Sequence, residues 1–345
     1  MRRFFLFCFV CLTVVSCGNK SDVRCFEAMN TFMTVRSYGK NCAVADALVQ
    51  KKMEEYERKL SVTDDGSLLF RLNKNPEEGI ILEEEIFNLI GFTLCMAEKT
   101  SGALNPVLYP VTRAWGFTSE KYRVPEAGEI SALLKLVDYR KVLVYGAESS
   151  ESADGFRISM GKGMMMDLGA VAKGFAGDRA VEILSENGIT SALLDLGGNI
   201  QALGGKPDGT PWAVGIKNPW GGEPVCGLRI KDCAVVTSGG YERFFTDEKG
   251  KRYIHIFDSR TGYPVENDIA AVTVICRSGL YADSLSTALF VMGFERAVEF
   301  WKASDDFDFV LLTNGKEIFY TEGLKDKIFL MPENASCIEK IEQCD

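Results

Sequence analysis

Apolar and polar residues recur along the chain with two spacings, one typical of helices and one typical of strands. Apolar residues three or four positions apart predict helices, and short apolar runs bounded by glycine, proline or polar clusters predict strands. The predicted helices cover residues 43–60, 81–100, 126–137, 169–187 and 283–292. The predicted strands cover residues 26–38, 140–146, 155–160, 191–196, 211–217, 230–237, 252–258 and 269–277, and a further helix and strand pair follow. Residues 104–118 contain two prolines and are expected to be irregular. This order, without a strict strand–helix–strand rhythm, predicts an α+β fold with mixed sheets and flanking helices in a single body.

The N-terminus predicts export and a lipid anchor. Arg2 and Arg3 precede an apolar run over residues 4–16, which is too short to span a bilayer as a mature helix and is typical of a signal peptide. Small residues then lead into Cys17, an arrangement that resembles a bacterial lipoprotein signal. We therefore expect Cys17 to be lipidated. The alternative is a plain secretory signal with an incidental cysteine.

This interpretation divides the chain into three parts. Residues 1–16 are the lipoprotein signal peptide, residues 17–25 are the lipidated cysteine with a polar tether, and residues 26–345 are one catalytic body. We expect a protein that is anchored to a bacterial membrane by its lipid and that faces the periplasm from the inner membrane.

Composition excludes two classes of function. The net charge of −9 argues against a nucleic-acid partner, because phosphate backbones are bound by basic patches. Eight cysteines follow Cys17, and they form neither a C-x-x-C pair nor another metal-ligand spacing, so thiol chemistry is not expected to be the function.

The densest polar chemistry of the chain surrounds its one histidine, His255. Three polar segments lie close together there, at residues 237–243, 253–262 and 282–287. They combine a side chain that titrates near neutrality with Ser/Gly loops that suit phosphate and with oxygen ligands that suit a hard metal ion. Metal-assisted chemistry on a phosphate ester needs this combination. The alternative is a polar hairpin followed by a capped helix.

A second polar centre is the glycine-containing segment 166–179. Glycines at a strand-to-helix junction let backbone N–H groups approach an anion at the positive end of a helix. Lys173 lies about one turn inside that helix, where its ammonium could reach a phosphate or an adenine edge. The segment is neither a Walker loop nor a G-x-G-x-x-G fingerprint, and the alternative is a helix start with a solvated lysine.

A third polar pair is Asp283 and Thr287. They are four positions apart, so on a predicted helix both point to one face. A carboxylate with a hydroxyl is a hard oxygen set, which suits Mg²⁺ rather than zinc. The alternative makes Asp283 the N-cap of a helix over residues 284–292.

Taken together and in order, these segments resemble the ApbE-type FAD:protein FMN transferases. The matching segments, spread over roughly residues 26–320, are 29–31, 67–73, 101–106, 167–178, 196–199, 237–239, 255–262 and 282–287. The resemblance implies an ApbE-like fold related to the T-fold. It also implies an enzyme that cleaves the FAD pyrophosphate, attaches FMN through a phosphoester to a Ser or Thr of a target protein, and releases AMP. Mg²⁺ is the implied cofactor, and outward-facing membrane redox subunits are the implied acceptors.

The resemblance also implies roles for individual residues. His255 corresponds to the histidine assigned to deprotonate the attacking hydroxyl. The implied metal ligands are Asp283, Thr287 and the backbone carbonyl of Ala170, with Ser286 as a further candidate. The residues implied to contact FAD are Met29, Thr63, Ala103, Leu104, Asn105, Asp167, Lys173 and Ile256.

Three positions depart from the family pattern, and two other functions stay open. The family often has tyrosine, aspartate and a polar residue where this chain has Thr63, Asn105 and Gly240. An aromatic side chain at position 63 could stack on the flavin, so its absence predicts looser packing there. Water in place of the acceptor hydroxyl would make the protein a Mg²⁺-dependent FAD pyrophosphatase that yields FMN and AMP. A non-catalytic flavin-binding lipoprotein, the other function, would tolerate the loss of His255.

Overall fold

The computed structural model describes residues 20–146, 155–304, 306–331 and 340–344. Within these residues the helices are α1 (Cys42–Leu60), α2 (Leu68–Lys74), α3 (Glu84–Lys99), α4 (Tyr109–Ala114), α5 (Ala127–Leu133), α6 (Ala172–Glu186), α7 (Gly279–Met292) and α8 (Phe294–Lys302). The strands are β1 (Ser21–Ala28), β2 (Thr31–Tyr38), β3 (Ile80–Leu82), β4 (Leu143–Tyr145), β5 (Phe156–Ser159), β6 (Ser191–Leu196), β7 (Asn199–Leu203), β8 (Trp212–Ile216), β9 (Cys226–Ile230), β10 (Cys233–Gly239), β11 (Phe244–Thr246), β12 (Arg252–Ile254), β13 (Phe257–Asp258), β14 (Tyr263–Pro264), β15 (Ile269–Cys276), β16 (Asp308–Thr313), β17 (Glu317–Thr321), β18 (Ile328–Leu330) and β19 (Lys340–Cys344).

A nine-stranded sheet runs through the centre of the described residues in the order β1-β2-β6-β7-β10-β15-β16-β17-β19. Neighbouring strands are antiparallel, except for the parallel pair β17 and β19 at one edge. Helices α1, α6 and α7 pack on one face through a large apolar core. A three-stranded sheet of β18, β9 and β8 covers part of the other face through side chains such as Trp212, Val235 and Ile275. Because both faces are covered at its centre, β15 is buried along its whole length.

A third, mostly aromatic cluster holds the segment that contains His255. Trp115, Phe117, Tyr253 and Phe257 are buried together in it. The ring of Trp115 lies 5.3 Å from that of Tyr253 and 5.6 Å from that of Phe257, and its Nε1–H donates to the carbonyl oxygen of Gly262 at 3.1 Å. The residues between β12 and β13 are thereby held against α4.

The sequence correctly predicts the fold class and several elements. The fold is α+β, as expected, and β6 has the predicted bounds Ser191–Leu196. Helix α1 begins one residue before the predicted helix and ends with it. The predicted helix over 126–137 corresponds to α5 followed by a 3-10 turn at Leu134–Leu136.

The prediction of one strand over residues 26–38 is wrong. The chain forms a hairpin of β1 and β2, whose two-residue turn, Met29–Asn30, has positive φ angles of 53° and 58°. Positive φ at both positions is what a type I′ hairpin turn requires; Asn30 is a usual residue in such a turn, whereas Met29 is not. Strand β1 also begins at Ser21, so the folded body starts before residue 26 and includes part of the predicted tether.

Two helices also differ from the predictions. The prolines around residues 104–118 do not keep the segment irregular, because Pro110 occupies the first turn of α4, where proline is tolerated. Helix α7 begins at Gly279, and the Ser278 side chain caps it by accepting a hydrogen bond from the Tyr281 backbone N–H at 3.2 Å. Asp283 therefore lies inside the helix, and the alternative in which it is the N-cap is wrong.

Within the described residues, no helix combines the length and the apolar content needed to cross a membrane. The cysteines whose side chains are described there are free thiols. Cys17 lies outside the described residues.

Candidate active site

A cavity of about 1530 Å³ brings together the polar segments that the sequence analysis identified. It is bounded by the C-terminal end of α1, the start of α6, one side of α7, and residues that flank β6, β10 and β13. Its volume exceeds the roughly 300–1,000 Å³ of most small-molecule sites. Twelve predicted site residues line it: Met29, Thr63, Ala103, Leu104, Asn105, Asp167, Ala170, Lys173, His255, Ile256, Asp283 and Thr287.

His255 lies between β12 and β13 with a defined tautomer. Its backbone N–H donates to the carbonyl oxygen of Arg243 at 3.1 Å, and its ring Nδ1 lies 3.1 Å from the same oxygen. Because a carbonyl oxygen only accepts, Nδ1 carries the proton and Nε2 is the basic nitrogen. Burial by the cavity walls, helped by the charges of Arg243 and Lys173, lowers the pKa of His255 to about 4. The ring is therefore neutral at physiological pH and able to take a proton at Nε2.

Four basic residues line the cavity, and two of them, Lys173 and Arg243, act on the charges of Asp167 and His255. The sequence analysis assigned a role to Lys173 but not to Arg243. Lys173 is in the first turn of α6, whereas Arg243 directly precedes β11 and donates from Nη2 to the carbonyl oxygen of Phe117 at 2.6 Å. Both charges lower the pKa of Asp167 and of His255. Arg243 lies in the polar run 237–243. The sequence could have identified it, because a basic residue in a polar run of an acidic chain is a candidate for binding an anion. Together the two cations suit a phosphate-bearing ligand.

Asp283 is held at the crossing of α6 and α7, where glycine lets the helices touch. The Gly174 backbone N–H donates to Asp283 Oδ2 at 2.8 Å. A Cβ at position 174 would lie 2.1 Å from the Gly279 carbonyl oxygen and 2.7 Å from Asp283 Cβ, so only glycine allows this approach. The Asp178 carboxylate secures the crossing by accepting hydrogen bonds from Ser278 Oγ at 2.8 Å and from the Gly279 N–H at 2.5 Å. Gly174 of segment 166–179 thus serves helix packing, which in turn places the carboxylate.

Burial and the neighbouring groups shift the pKa of Asp283 in opposite directions. Burial raises the pKa of the carboxyl, whereas the positive charge of Lys173, the Gly174 N–H and the Asn199 amide lower it. Burial outweighs these contributions and the pKa of Asp283 is raised, so a positive charge bound beside the carboxylate would favour its ionised form.

Hydroxyl groups of α7 lie beside this carboxylate. Thr287 Oγ1 lines the cavity, and Ser238 Oγ lies 3.3 Å from it. Ser286 is fully buried and does not line the cavity, since its hydroxyl donates to the Asp283 carbonyl oxygen at 3.0 Å and lies 2.9 Å from Ser238 Oγ. The structure therefore brings Asp283, Thr287 and Ala170 to one cavity and turns Ser286 away from it.

The remaining predicted residues form the opposite wall and the rim of the cavity. Asn105 uses its side chain within the fold, because Nδ2 donates to the Val137 carbonyl oxygen at 2.9 Å and Oδ1 accepts from the Val107 N–H at 3.0 Å. Thr63 is exposed in the loop after α1, with Oγ1 3.2 Å from Ser61 Oγ. Position 63 is thus open to solvent, and Asn105 shapes the wall through its backbone.

Asp167 links two walls of the cavity. Its backbone N–H donates to the Pro106 carbonyl oxygen at 2.8 Å, and its Oδ1 accepts from the Gly169 N–H at 2.8 Å. Burial raises the pKa of this carboxyl, and the Gly169 N–H, Lys173 and Arg243 oppose the rise. The segment 103–106, which carries Ala103 and Leu104, is thereby joined to the start of α6.

Known proteins share this sequence and this architecture. The sequence profile described as the ApbE family matches residues 29–311. The FAD:protein FMN transferase of Treponema pallidum is 33% identical over 342 residues, which cover 94% of each chain. That of Klebsiella pneumoniae is 30% identical over 293 residues, which cover 84% of this chain and 88% of the relative.

Solved structures agree with the sequence relatives. The crystal structure of the ApbE protein from Thermotoga maritima superposes with a TM-score of 0.81 at 32% identity and covers 89% of this chain and 98% of that one. The apo flavinyl transferase ApbE from Pseudomonas stutzeri superposes with a TM-score of 0.74 at 27% identity over 86% of this chain and 92% of that one. Since the family profile matches most of the sequence and the fold agrees over nearly the whole body, the chain belongs to the ApbE family.

Proposed function

We propose that this protein transfers FMN from FAD to a Ser or Thr hydroxyl of an acceptor protein and releases AMP. One observation carries the proposal: a neutral histidine, the cations Lys173 and Arg243, the buried carboxylate of Asp283 and the hydroxyl-bearing Thr287 line one cavity of about 1530 Å³. The relatives from Treponema pallidum and Klebsiella pneumoniae bear the name of this activity. The acceptor class that we infer is the Ser/Thr-bearing membrane redox subunit.

In the proposed reaction His255 would accept the proton of the attacking hydroxyl. The acceptor hydroxyl oxygen attacks the phosphorus on the FMN side of the FAD pyrophosphate, its proton passes to His255 Nε2, and the bridging bond to AMP breaks. The Arg243 carbonyl oxygen keeps the proton on Nδ1, so that Nε2 faces the reaction as the base. A positioned base of this kind contributes roughly 10²–10⁴-fold to the rate.

Two of the cations that line the cavity would bind the pyrophosphate. Lys173 and Arg243 supply positive charge to a ligand that carries negative charge throughout the reaction. Asp167, Met29 and Ile256 would contact the nucleotide and the flavin from the walls. Ala103, Leu104 and Asn105 would do so through the backbone of their segment, and Thr63 would lie at the open rim.

A divalent cation fits the remaining donors. Asp283 offers a buried carboxylate, Thr287 a hydroxyl and Ala170 a backbone carbonyl, and all three line the cavity. This hard oxygen set suits Mg²⁺. Mg²⁺ bound there would neutralise charge that develops on the leaving phosphate. Ser286 would support the set through Ser238 rather than bind the cation itself.

We further propose that Cys17 carries a lipid that holds the protein to a bacterial membrane, with the catalytic body facing the periplasm. Only residues 18–20 separate Cys17 from the start of β1. The body would therefore act close to the membrane, where membrane redox subunits are found. The substitution Cys17→Ser should move the protein from the membrane fraction to the soluble fraction.

The proposal is tested with purified protein, FAD, Mg²⁺ and a candidate Ser/Thr-bearing redox subunit. Released AMP is measured by chromatography and the acceptor by intact mass. The expected result is one AMP for each FMN gained by the acceptor, and an acceptor with its Ser/Thr replaced by Ala gains nothing. AMP and free FMN without a mass gain would indicate a hydrolase, and tight FAD binding without AMP would indicate a flavin carrier.

A further inference from the structure

Helix α2 connects two walls of the cavity without lining the cavity itself. Together with its N-cap it contains the matching segment 67–73, to which the resemblance assigns no role. At its start, the Ser67 hydroxyl accepts from the Phe70 N–H at 2.9 Å and donates to the carbonyl oxygen of Ser61, a residue that lines the cavity. Near its end, Asn73 contacts the segment that leads into α6.

The Asn73 amide makes two hydrogen bonds to the backbone of one distant residue. Its Nδ2 donates to the Met166 carbonyl oxygen at 2.8 Å, and its Oδ1 accepts from the Met166 N–H at 2.6 Å. Both residues are buried, Met166 completely. Because one amide meets both backbone groups of Met166, it fixes the position and the direction of the chain at that residue.

The residues after Met166 depend on this contact because they lack regular secondary structure. Residues 164–168 belong to neither a helix nor a strand, and residues 169–171 form the turn before α6. The two bonds from Asn73 and the bond from the Asp167 N–H to the Pro106 carbonyl oxygen tie this segment to distant parts of the chain. Asp167 and Ala170, one and four positions after Met166, line the cavity.

We propose that Asn73 is a positioning residue for the active site: through the Met166 backbone it sets where the Asp167 carboxylate and the Ala170 carbonyl oxygen lie in the cavity. The inference rests on the proposed function, which assigns Asp167 to FAD and Ala170 to the cation. Asn73 does not line the cavity, so it would act without touching either ligand. Groups that support metal ligands from outside typically contribute about 10–100-fold to metal affinity.

The test measures ligand binding directly, without turnover. Mn²⁺ is the probe for the cation site, and the electron paramagnetic resonance signal of the free ion reports its binding. FAD binding is measured by flavin fluorescence, and the fold by circular dichroism and thermal melting. Asn73→Ala removes both bonds to Met166, so it should weaken Mn²⁺ binding about 10–100-fold. It should weaken FAD binding about tenfold, which corresponds to one hydrogen bond to a charged group.

A second substitution tests the hydrogen-bond pairing rather than the volume. Asn73→Asp keeps the size of the side chain and an acceptor for the Met166 N–H, but an ionised carboxylate cannot donate to the Met166 carbonyl oxygen. Both affinities should therefore be reduced at pH 8. Relative to wild type they should recover as the pH is lowered towards 5, because a protonated carboxyl again offers a donor beside an acceptor. Burial raises the pKa of such a carboxyl and so brings the recovery into this range.

Asn267→Asp is the matched control. Asn267 makes the same pair of bonds to backbone groups, since its Nδ2 donates to the Phe290 carbonyl oxygen at 2.7 Å and its Oδ1 accepts from the Ile269 N–H at 3.0 Å. It does not line the cavity. This substitution should lower the melting temperature and leave both affinities unchanged.

Unchanged affinities in folded Asn73→Ala would overturn the inference, and so would losses in Asn73→Asp that do not recover at lower pH. Equal losses of affinity in the control would also overturn it, because they would show a general effect of lower stability. If one Asn73 variant does not fold, the other decides by the same criteria, and failure of both to fold would show a merely structural role. Wild-type protein that binds neither FAD nor Mn²⁺ would instead refute the proposed function, and the role of Asn73 would fall with it.

Discussion

Replacing His255 should remove most of the turnover and little of the FAD binding. His255→Gln keeps a polar side chain of similar reach but cannot act as the base, and the chain has no second histidine to substitute. The loss should be about 10²–10⁴-fold in the rate of AMP release. FAD affinity should change little because the charge that meets the pyrophosphate comes from Lys173 and Arg243, which the substitution leaves in place.

The pH dependence of the wild-type protein gives the same prediction a second readout. With a pKa of about 4, His255 is protonated in only about one molecule in a thousand at pH 7. With the ordinary pKa near 6.5, the fraction would be about one in four. Activity should therefore be flat from pH 8 down to about 5 and fall only as pH approaches 4. Arg243→Gln removes a charge that lowers this pKa, so it should move the acid limb towards neutrality, by up to about one unit.

The assay is single-turnover release of AMP by rapid quench across the pH range, with circular dichroism at each pH to confirm the fold. Arg243→Gln serves as the matched variant, because it changes the surroundings of the base and leaves the base itself intact. A wild-type acid limb near pH 6.5 would refute the argument from burial. The same limb persisting in His255→Gln would show that another group is the base.

Three further predictions test the cation site and the fold. Asp283→Asn keeps an acceptor for the Gly174 N–H but removes the charge, so Mg²⁺-dependent turnover should be lost while the melting temperature is retained; full activity in excess chelator would contradict this assignment. Gly174→Ala should abolish turnover and lower the free energy of unfolding by about 1–3 kcal/mol, because its Cβ would lie 2.1 Å from a backbone oxygen of α7. Gly91→Ala is the control, since its Cβ meets nothing within 4 Å, and it should stabilise α3 by about 0.5–1 kcal/mol. Burial raises the pKa of Asp46 from the ordinary 3.8 to about 7, so the unfolded chain gives up a proton between these values that the folded protein keeps. Wild-type stability should therefore fall as pH rises through this window, and the melting temperature of Asp46→Asn relative to wild type should increase from pH 4 to 7 and then level off; a constant difference would contradict it.

The segments that carry chemistry could be predicted from the sequence because their information is local. The spacing of Asp283 and Thr287 already places both on one side of a helix, whatever packs against it. The strand Ser191–Leu196 is a short apolar run that ends at two glycines, so its bounds follow from composition. Nearly all of the site residues predicted from such local segments line one cavity.

Element boundaries that depend on tertiary contacts could not be predicted. The Met29–Asn30 turn contains no glycine, and its positive φ angles are maintained by the pairing of β1 with β2. Gly279 suggests the end of a helix, yet it begins α7 because Asp178, 101 residues earlier, accepts its backbone N–H. Both errors arise where long-range hydrogen bonds override local preference.

A residue that matches the family pattern need not offer its side chain to a ligand, and two residues of this site illustrate the difference. Asn105 and Ser286 stand at positions that the resemblance assigns to flavin and metal, yet hydrogen bonds within the fold occupy both side chains. The resemblance assigns no role to Arg243, yet its carbonyl oxygen sets the tautomer of His255 and its charge lowers the pKa of that ring. His255, the proposed base, lies between Tyr253 and Phe257 of the aromatic cluster around Trp115, whereas Asp283 lies at the α6–α7 crossing. Since these two units meet across the cavity, the geometry of the reaction depends on how α4 and α6 are held together. The bond from the Asp167 N–H to the Pro106 carbonyl oxygen joins the segments that lead into those two helices.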